Sequence, residues 1–162
     1  MAKIKAEKYI RAIGIPDGEN SHKYYIVGAG IEELTTEMNA NVETTQDILG
    51  NSEIKIGAYS PTSSVSPYTV DDSDDIHEFL QGIIDEQKTL DDLRVQILDV
   101  KLFESSTGNA YPAIMQEGII EIVSYTRSAT AGYVIDFNLH FKGNPVKGTF
   151  DPKTKTWTAT SA

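Results

Sequence analysis

The chain has 162 residues, 40% of them hydrophobic, the size of one domain whose core needs no metal or disulfide support. Asp and Glu outnumber Lys and Arg by 24 to 14, and the formal charge of −10 opposes adhesion to phosphate backbones or anionic lipid. Cysteine is absent, which excludes disulfides, thiolate nucleophiles and cysteine-ligated metals.

The opening Met1-Ala2-Lys3-Ile4-Lys5 is not followed by an apolar run of signal-peptide length, and no stretch approaches the roughly 18 apolar residues that cross a bilayer. A soluble protein made in the cytoplasm, with no membrane partner, is expected. The first strand is read at 23–27, a short aromatic and β-branched run that ends in the turn Gly28-Ala29-Gly30. That triplet imitates the start of a dinucleotide fingerprint, but Glu33 stands at the third glycine position and no helical period begins there.

Alternation is clean over 34–43. Leu34, Thr36, Met38, Ala40 and Val42 share one side, and Thr35, Glu37, Asn39, Asn41 and Glu43 the other, which predicts a half-buried strand with a polar outer face. The period then breaks. Residues 43–53 carry a Gly50-Asn51 turn signal and read as an extended loop before Ile54, Ile56 and Ala58 restart the alternation. Ser52 and Lys55 match an S-x-x-K spacing, but on a strand they do not share a face as that chemistry requires. Two prolines and three serines in 61–67 predict an edge strand or a crossover.

Ile76, Phe79, Leu80, Ile83 and Ile84 recur at helical spacing, so one amphipathic helix is predicted over 74–88. Asp71, Asp72, Ser73, Asp74 and Asp75 suit its N-terminus as caps and dipole partners, and Lys88 suits the other end. The same run imitates a calcium loop, but Ile76 and Gly82 stand where glycine and glutamate are required. After a turn at Asp91-Asp92, 93–103 reads as a strand whose apolar parity changes between Ile97 and Leu98, from a bulge or from burial on both faces.

A hairpin connection at 105–109 leads to a β-rich stretch at 113–125, and a turn at 128–132 to a second clean alternation. There Tyr133, Ile135, Phe137, Leu139 and Phe141 oppose Asp136, Asn138, His140 and Lys142. Two short strands close the chain, near 146–150 and 156–160, with Trp157 either a core plug or an interface anchor. His22, His77 and His140 fall on different elements with no metal-binding spacing. No acid/base carboxylate pair stands out among the many acidic side chains, so neither an enzyme nor a cofactor is expected. The fold expected is mainly β: an antiparallel β-sandwich or barrel of about eight strands with one flanking α-helix, a single domain over 1–162 with flexible arms at 1–8 and 159–162.

Taken in order, the pieces of this chain resemble the major tail tube proteins of long-tailed bacteriophages and prophages. The pieces are the glutamate-bearing strand at 31–41, Glu43-Thr44-Thr45-Gln46, Gly57-Ala58-Tyr59-Ser60-Pro61, the acidic turn at 71–75 and the helix at 76–84. The ending Gly143-Asn144-Pro145-Val146-Lys147-Gly148-Thr149-Phe150-Asp151 with Lys153-Thr154-Lys155-Thr156-Trp157 adds to the likeness, which spans about 24–158. The resemblance implies a structural virion protein with the tail-tube fold, whose hexameric rings stack into the channel for DNA ejection. It implies tail tip or baseplate, tape-measure and tail terminator proteins as partners, and the virion tail as location, after assembly in the host bacterial cytoplasm.

Polar side chains at Glu37, Asn39, Asn41, Asp136 and Asn138 are the expected lumen lining, wet and acidic enough to let DNA pass without binding it. Glu43, Thr44, Thr45, Gln46, Asp47, Ile48, Leu49, Gly50 and Asn51 are the expected assembly loop. The alternative is a monomeric β-sandwich module for ligand binding or adhesion, motivated by the aromatic content and the Ser/Thr-rich loops.

Overall fold

Residues 2–17, 21–31, 33–71 and 76–160 are described in the computed structural model of the chain, with Ser66 by its backbone alone. Ten strands form among them: β1 (Tyr9–Pro16), β2 (His22–Val27), β3 (Thr35–Glu37), β4 (Ala40–Gln46), β5 (Ser52–Tyr59), β6 (Thr62–Thr69), β7 (Arg94–Lys101), β8 (Tyr111–Ser128), β9 (Gly132–Asp151) and β10 (Thr156–Ala159). One α-helix, α1 (Ile76–Glu86), is interposed. Eight strands make one antiparallel sheet in the order β2-β1-β7-β8-β9-β6-β3, with β10 on the far half of β9, while β4 and β5 pair only with each other. The chain is therefore mainly β, with one helix on antiparallel sheets, as its periodicity predicts.

The parity change in β7 comes from burial on both faces, because its ladders to β1 and β8 run without a register shift. Val95 and Ile97 point into a larger core with Ile13, Val65, Tyr68, Ile120, Ile135, Phe137 and Leu139. Leu98 and Val100 point the other way, into a smaller core with Ala12, Ala113 and Phe150. The strand beside it, β1, divides in the same manner, with Ile13 in the larger core and Ala12 in the smaller, and a strand buried on both faces has no polar alternation by which to recognise it.

Helix α1 covers the larger core with Ile76, Leu80 and Ile83 buried and Phe79 and Ile84 packed at its margin. Each full burial of that kind contributes roughly 1.5–3 kcal/mol. The helix carries its whole apolar stripe but stops at Glu86, short of the expected Lys88, because Gln87 takes a left-handed φ of 51° and the Lys88 amide donates back to the Ile83 carbonyl at 3.4 Å. The proposed cap residues Asp72, Ser73, Asp74 and Asp75 lie outside the described residues.

The prolines and serines of 61–67 do not make a plain edge strand. From Thr62 to Ser64, β6 is paired to β9 on one side and to β3 on the other. Pro67 is accommodated where the register shifts between Val65 and Tyr68, at the point where the ladder lapses. Ser63 is fully buried because its hydroxyl has work inside: it accepts a 2.6 Å hydrogen bond from Arg11 Nη1 and donates to the Thr35 carbonyl.

The strand expected near 146–150 is the far half of β9, a 20-residue strand that bends rather than stops. Residues 143–145 bulge against Gln116, with Gly143 at φ 71° and its carbonyl accepting from Gln116 Nε2. Trp157 stands opposite Phe150 and packs over the smaller core, so it is a plug of this molecule. The arm expected at 159–162 is held as far as Thr160, whose amide donates to the Lys147 carbonyl. The Gly28-Ala29-Gly30 triplet is a turn, closed by the Ile31 amide on the Gly28 carbonyl with Gly30 at φ 77°.

Candidate assembly surfaces

Residues 34–43 do not form one strand. Thr35–Glu37 stays in the main sheet as β3, Asn39 turns the chain at φ 50°, and β4 leaves as half of a separate hairpin. Asn39 holds this corner with its side-chain amide, which donates to the Ser60 carbonyl at 3.0 Å and to Thr62 Oγ1 at 3.1 Å. Its left-handed φ explains the choice of residue, since Asn tolerates that conformation better than other side chains.

The segment 43–53, expected as an extended loop, is most of a hairpin. Glu43, Thr44, Thr45 and Gln46 belong to β4, and they face Lys55, Ile54, Glu53 and Ser52 across the ladder. Only Asp47, Ile48, Leu49, Gly50 and Asn51 turn the chain. Asp47 Oδ1 accepts the amides of Leu49 and Asn51 at 2.9 Å, Oδ2 accepts from Asn51 Nδ2, and Gly50 has the positive φ that the turn requires. The Asn51 amide, then its side chain, then the Leu49 amide hold the Asp47 carboxyl below its usual range. The period breaks over this segment because it holds the polar end of β4, Glu43 to Gln46, and the tight turn at Asp47 to Asn51, where no strand alternation applies.

Every residue of β4 and β5 is exposed. One face carries Val42 opposite Ile56 and Thr44 opposite Ile54, and the other carries Glu43 opposite Lys55 and Thr45 opposite Glu53. The hairpin is thus amphipathic with its apolar stripe bare. At its tip Ile48 and Leu49 are 102% and 81% exposed.

The expected lumen residues divide into two groups. Register places Glu37, Thr62 and His140 in one row across β3, β6 and β9, and Thr35, Ser64, Asn138 and Glu121 in the next row, which continues onto β8. Register partners of antiparallel strands share a face. Glu37, Asn138 and Asp136 therefore lie on one outer, polar wall of four strands, with Asn39 at its corner. Asn41 lies off this wall, on the hairpin. Glu121 and Glu117, which the sequence reading did not single out, belong to the wall: Glu121 accepts from His140 Nε2 at 2.8 Å and Asn138 Nδ2 at 3.2 Å, and Glu117 stands opposite Lys142. These bonds, that of His140 first, lower the Glu121 carboxyl. Asp136 is half-buried: Ser124 reaches its Oδ2 at 3.4 Å, and its buried Oδ1 has no hydrogen-bond partner among the described residues.

Two further features bear on assembly. Beyond Ile119 the strand β8 is paired, among the described residues, to β9 alone, so its other edge has no strand partner there over 120–128. Beside that edge lies a groove of about 780 Å³ between α1 and β8, lined by Ile84, Leu93, Ile122, Val123 and Tyr125 together with Lys88 and with Glu121 and His140 of the polar wall. Among the described residues no helix is long and apolar enough to cross a membrane. No protein-family model matches the chain, and no curated protein matches it.

Proposed function

We propose that this protein is the subunit of a phage-type tail tube, a structural protein whose rings, six subunits each, stack into the channel through which DNA leaves the virion. The observation that carries this reading is the β4–β5 hairpin. An isolated two-stranded ribbon is marginal in water, and this one keeps an apolar stripe that no described residue of its own chain covers. A neighbouring subunit is the natural cover. The open edge of β8 supports the same reading, since closure into a ring would pair edges that otherwise invite uncontrolled strand addition.

In such a ring the four-stranded polar wall is the lumen surface. Glu37, Glu117, Glu121 and Asp136 outnumber Lys142 there, and an acidic, hydrated wall repels phosphates and lets DNA slide. Tail tip or baseplate, tape-measure and terminator proteins are then its partners, and the virion tail, built in the host cytoplasm, its place. No chemistry is required of the chain. Electron microscopy of concentrated protein, alone and with tail-tip components, should show sixfold rings or tubes, and their absence in both preparations would overturn the proposal.

The groove beside α1 favours a second reading, a monomeric binding module for an apolar ligand. A chain that stays monomeric at high concentration and gains thermal stability with a defined ligand would select it.

A further inference from the structure

We propose that the trough centred on Gln96 of β7, between β2 and the turn into β10, is a binding site for an anionic sugar, a pyranose that carries a phosphate or a carboxylate. The inference goes beyond the tube reading and does not depend on it.

Two pockets, of about 190 and 550 Å³, share His22 and Gln96 in their linings. Arg94, Glu117 and Lys142 border the smaller, and Tyr24, Lys155, Thr156 and Trp157 the larger. Register explains how distant parts of the chain meet here. Tyr24 stands opposite Gly14, Gly14 opposite Gln96, Gln96 opposite Glu117 and Glu117 opposite Lys142, one row on one face from β2 to β9. Pairing of β10 with the far half of β9 then brings Trp157 and the turn before it to the same place.

The floor of the trough is set in advance. A Cβ at Gly14 would fall 2.5 Å from Tyr24 Cε1 and 3.2 Å from Gln96 Cβ, so the glycine is what lets the Tyr24 ring lie across β1. Phe150 meets that ring edge-on at 5.8 Å, and the Tyr24 hydroxyl donates to Gln96 Oε1 at 2.6 Å. The Gln96 amide is thereby fixed, and its Nε2 has no other partner among the described residues. Tyr24 and Trp157 are both half-buried. A pyranose has a face of C–H groups that packs on such rings, and hydroxyls that suit Gln96, His22 and Thr156.

Charge selects an anion. On a chain of net charge −10, Arg94, Lys142 and Lys155 converge here with His22, and Glu117 is the one acid in the two linings. Lys142 and Lys155 make no ion pair among the described residues, although Glu117 faces Lys142 across the ladder, where its carboxylate can accept sugar hydroxyls. Arg94 pairs with Asp91 at 3.0 Å, but their side chains are 56% and 82% exposed, and so exposed a pair is weak enough to release the guanidinium to a second anion. The ligand is small rather than a nucleic acid, because Glu121 and Glu37 follow on the same face and repel an extended run of phosphates.

Trp157 is the one tryptophan of the chain and lines the larger pocket, so its fluorescence reports binding directly, with titration calorimetry as the second readout. Glucose 6-phosphate and glucuronate should each bind saturably with a Kd of about 1 mM or tighter, and glucose or inorganic phosphate alone about tenfold more weakly. The double change Arg94→Gln, Lys142→Gln, at exposed positions, should weaken glucose 6-phosphate by about tenfold or more at an unchanged melting temperature. Lys155→Gln, in an exposed turn, checks the same point should the double variant fail to fold. Neither a fluorescence change nor a heat of binding with either acidic sugar would overturn the site. Phosphate binding as tightly as glucose 6-phosphate would reduce it to an anion patch and overturn the sugar, and glucose binding as tightly would overturn the role of the cations. Stronger binding of a single-stranded oligonucleotide than of glucose 6-phosphate would overturn the choice of ligand.

Discussion

Arg11 on β1 and Ser63 on β6 stand on strands four places apart in the sheet order, yet the Arg11 guanidinium donates to the Ser63 hydroxyl at 2.6 Å. The same guanidinium pairs with Asp99 at 2.9 Å, donates to Thr36 Oγ1 at 2.9 Å and lies 5.4 Å from the centre of the Phe141 ring. One buried side chain thus joins β1 and β7 to β6 and β3, and turns a long sheet into a nearly closed barrel.

Replacing Arg11 with Met strands Asp99 and the buried Ser63 hydroxyl without their donor. A loss of about 3 kcal/mol is expected, as for other buried pairs broken from one side. Arg11→Lys should recover little, because one ammonium cannot reach acceptors spread over three strands. Urea unfolding of the three proteins checks both statements, and a loss near zero for Arg11→Met would show that the sheet ends hold together without it.

Asp47→Ala should loosen the hairpin tip and leave the body unchanged, since every residue of β4 and β5 is exposed and their ladder is with each other. Amide exchange at Leu49 and Asn51 should quicken while the melting temperature of the main sheet stays put. Acid should act in the same way. The Asp47 carboxyl is held below its usual range by hydrogen bonds to its charged form, so its support is complete above about pH 4 and is lost as pH falls through the lowered value. Exchange at the tip in the wild type at low pH should then approach that of Asp47→Ala at neutral pH.

Legibility in the sequence followed burial. The alternation at 133–142 and the stripe of α1 were readable because each has one buried and one wet face, and both lie where their periods predict. β1 was illegible because Ala12 and Ile13 are both buried, in opposite cores. The hairpin was half legible: Gly50-Asn51 marked its turn and Ile54 and Ile56 its second strand, but Glu43 to Gln46 carry no apolar residue and so hid the end of the first. Of the candidate wall, Glu37, Asp136 and Asn138 were found from alternation. Glu121 and Glu117 were hidden in a stretch where Ile119, Ile120 and Ile122 mask the parity and a bulge near Val123 resets it.

Gly148→Ala tests whether Trp157 is a plug of the smaller core. A Cβ at Gly148 would fall 2.5 Å from Trp157 Cη2 and press on the Thr158 carbonyl, so the indole and β10 must move. Overpacking of this kind costs about 1–3 kcal/mol, and tryptophan fluorescence should shift to the red as the ring gains solvent. An unshifted spectrum at full stability would mean that β10 yields freely and that Trp157 does not hold the core.

Charge on the polar wall provides the last prediction. Glu37 and Glu117 are both exposed, and they lie on the same outer face of the sheet, so the double change Glu37→Lys, Glu117→Lys raises the charge of that face by four without touching the core. Asp136 is a poorer choice, because its half-buried carboxylate would force a lysine against Ser124 and the strand beneath. The double variant should fold and assemble as the parent does, yet retain DNA. Each exposed cation that meets a phosphate adds a counterion-release term, so retention should weaken steeply as salt is raised. Particles built from the variant should therefore eject DNA slowly at low salt and recover at high salt. Ejection at the parental rate across the whole salt series would place this wall on the outside of the tube.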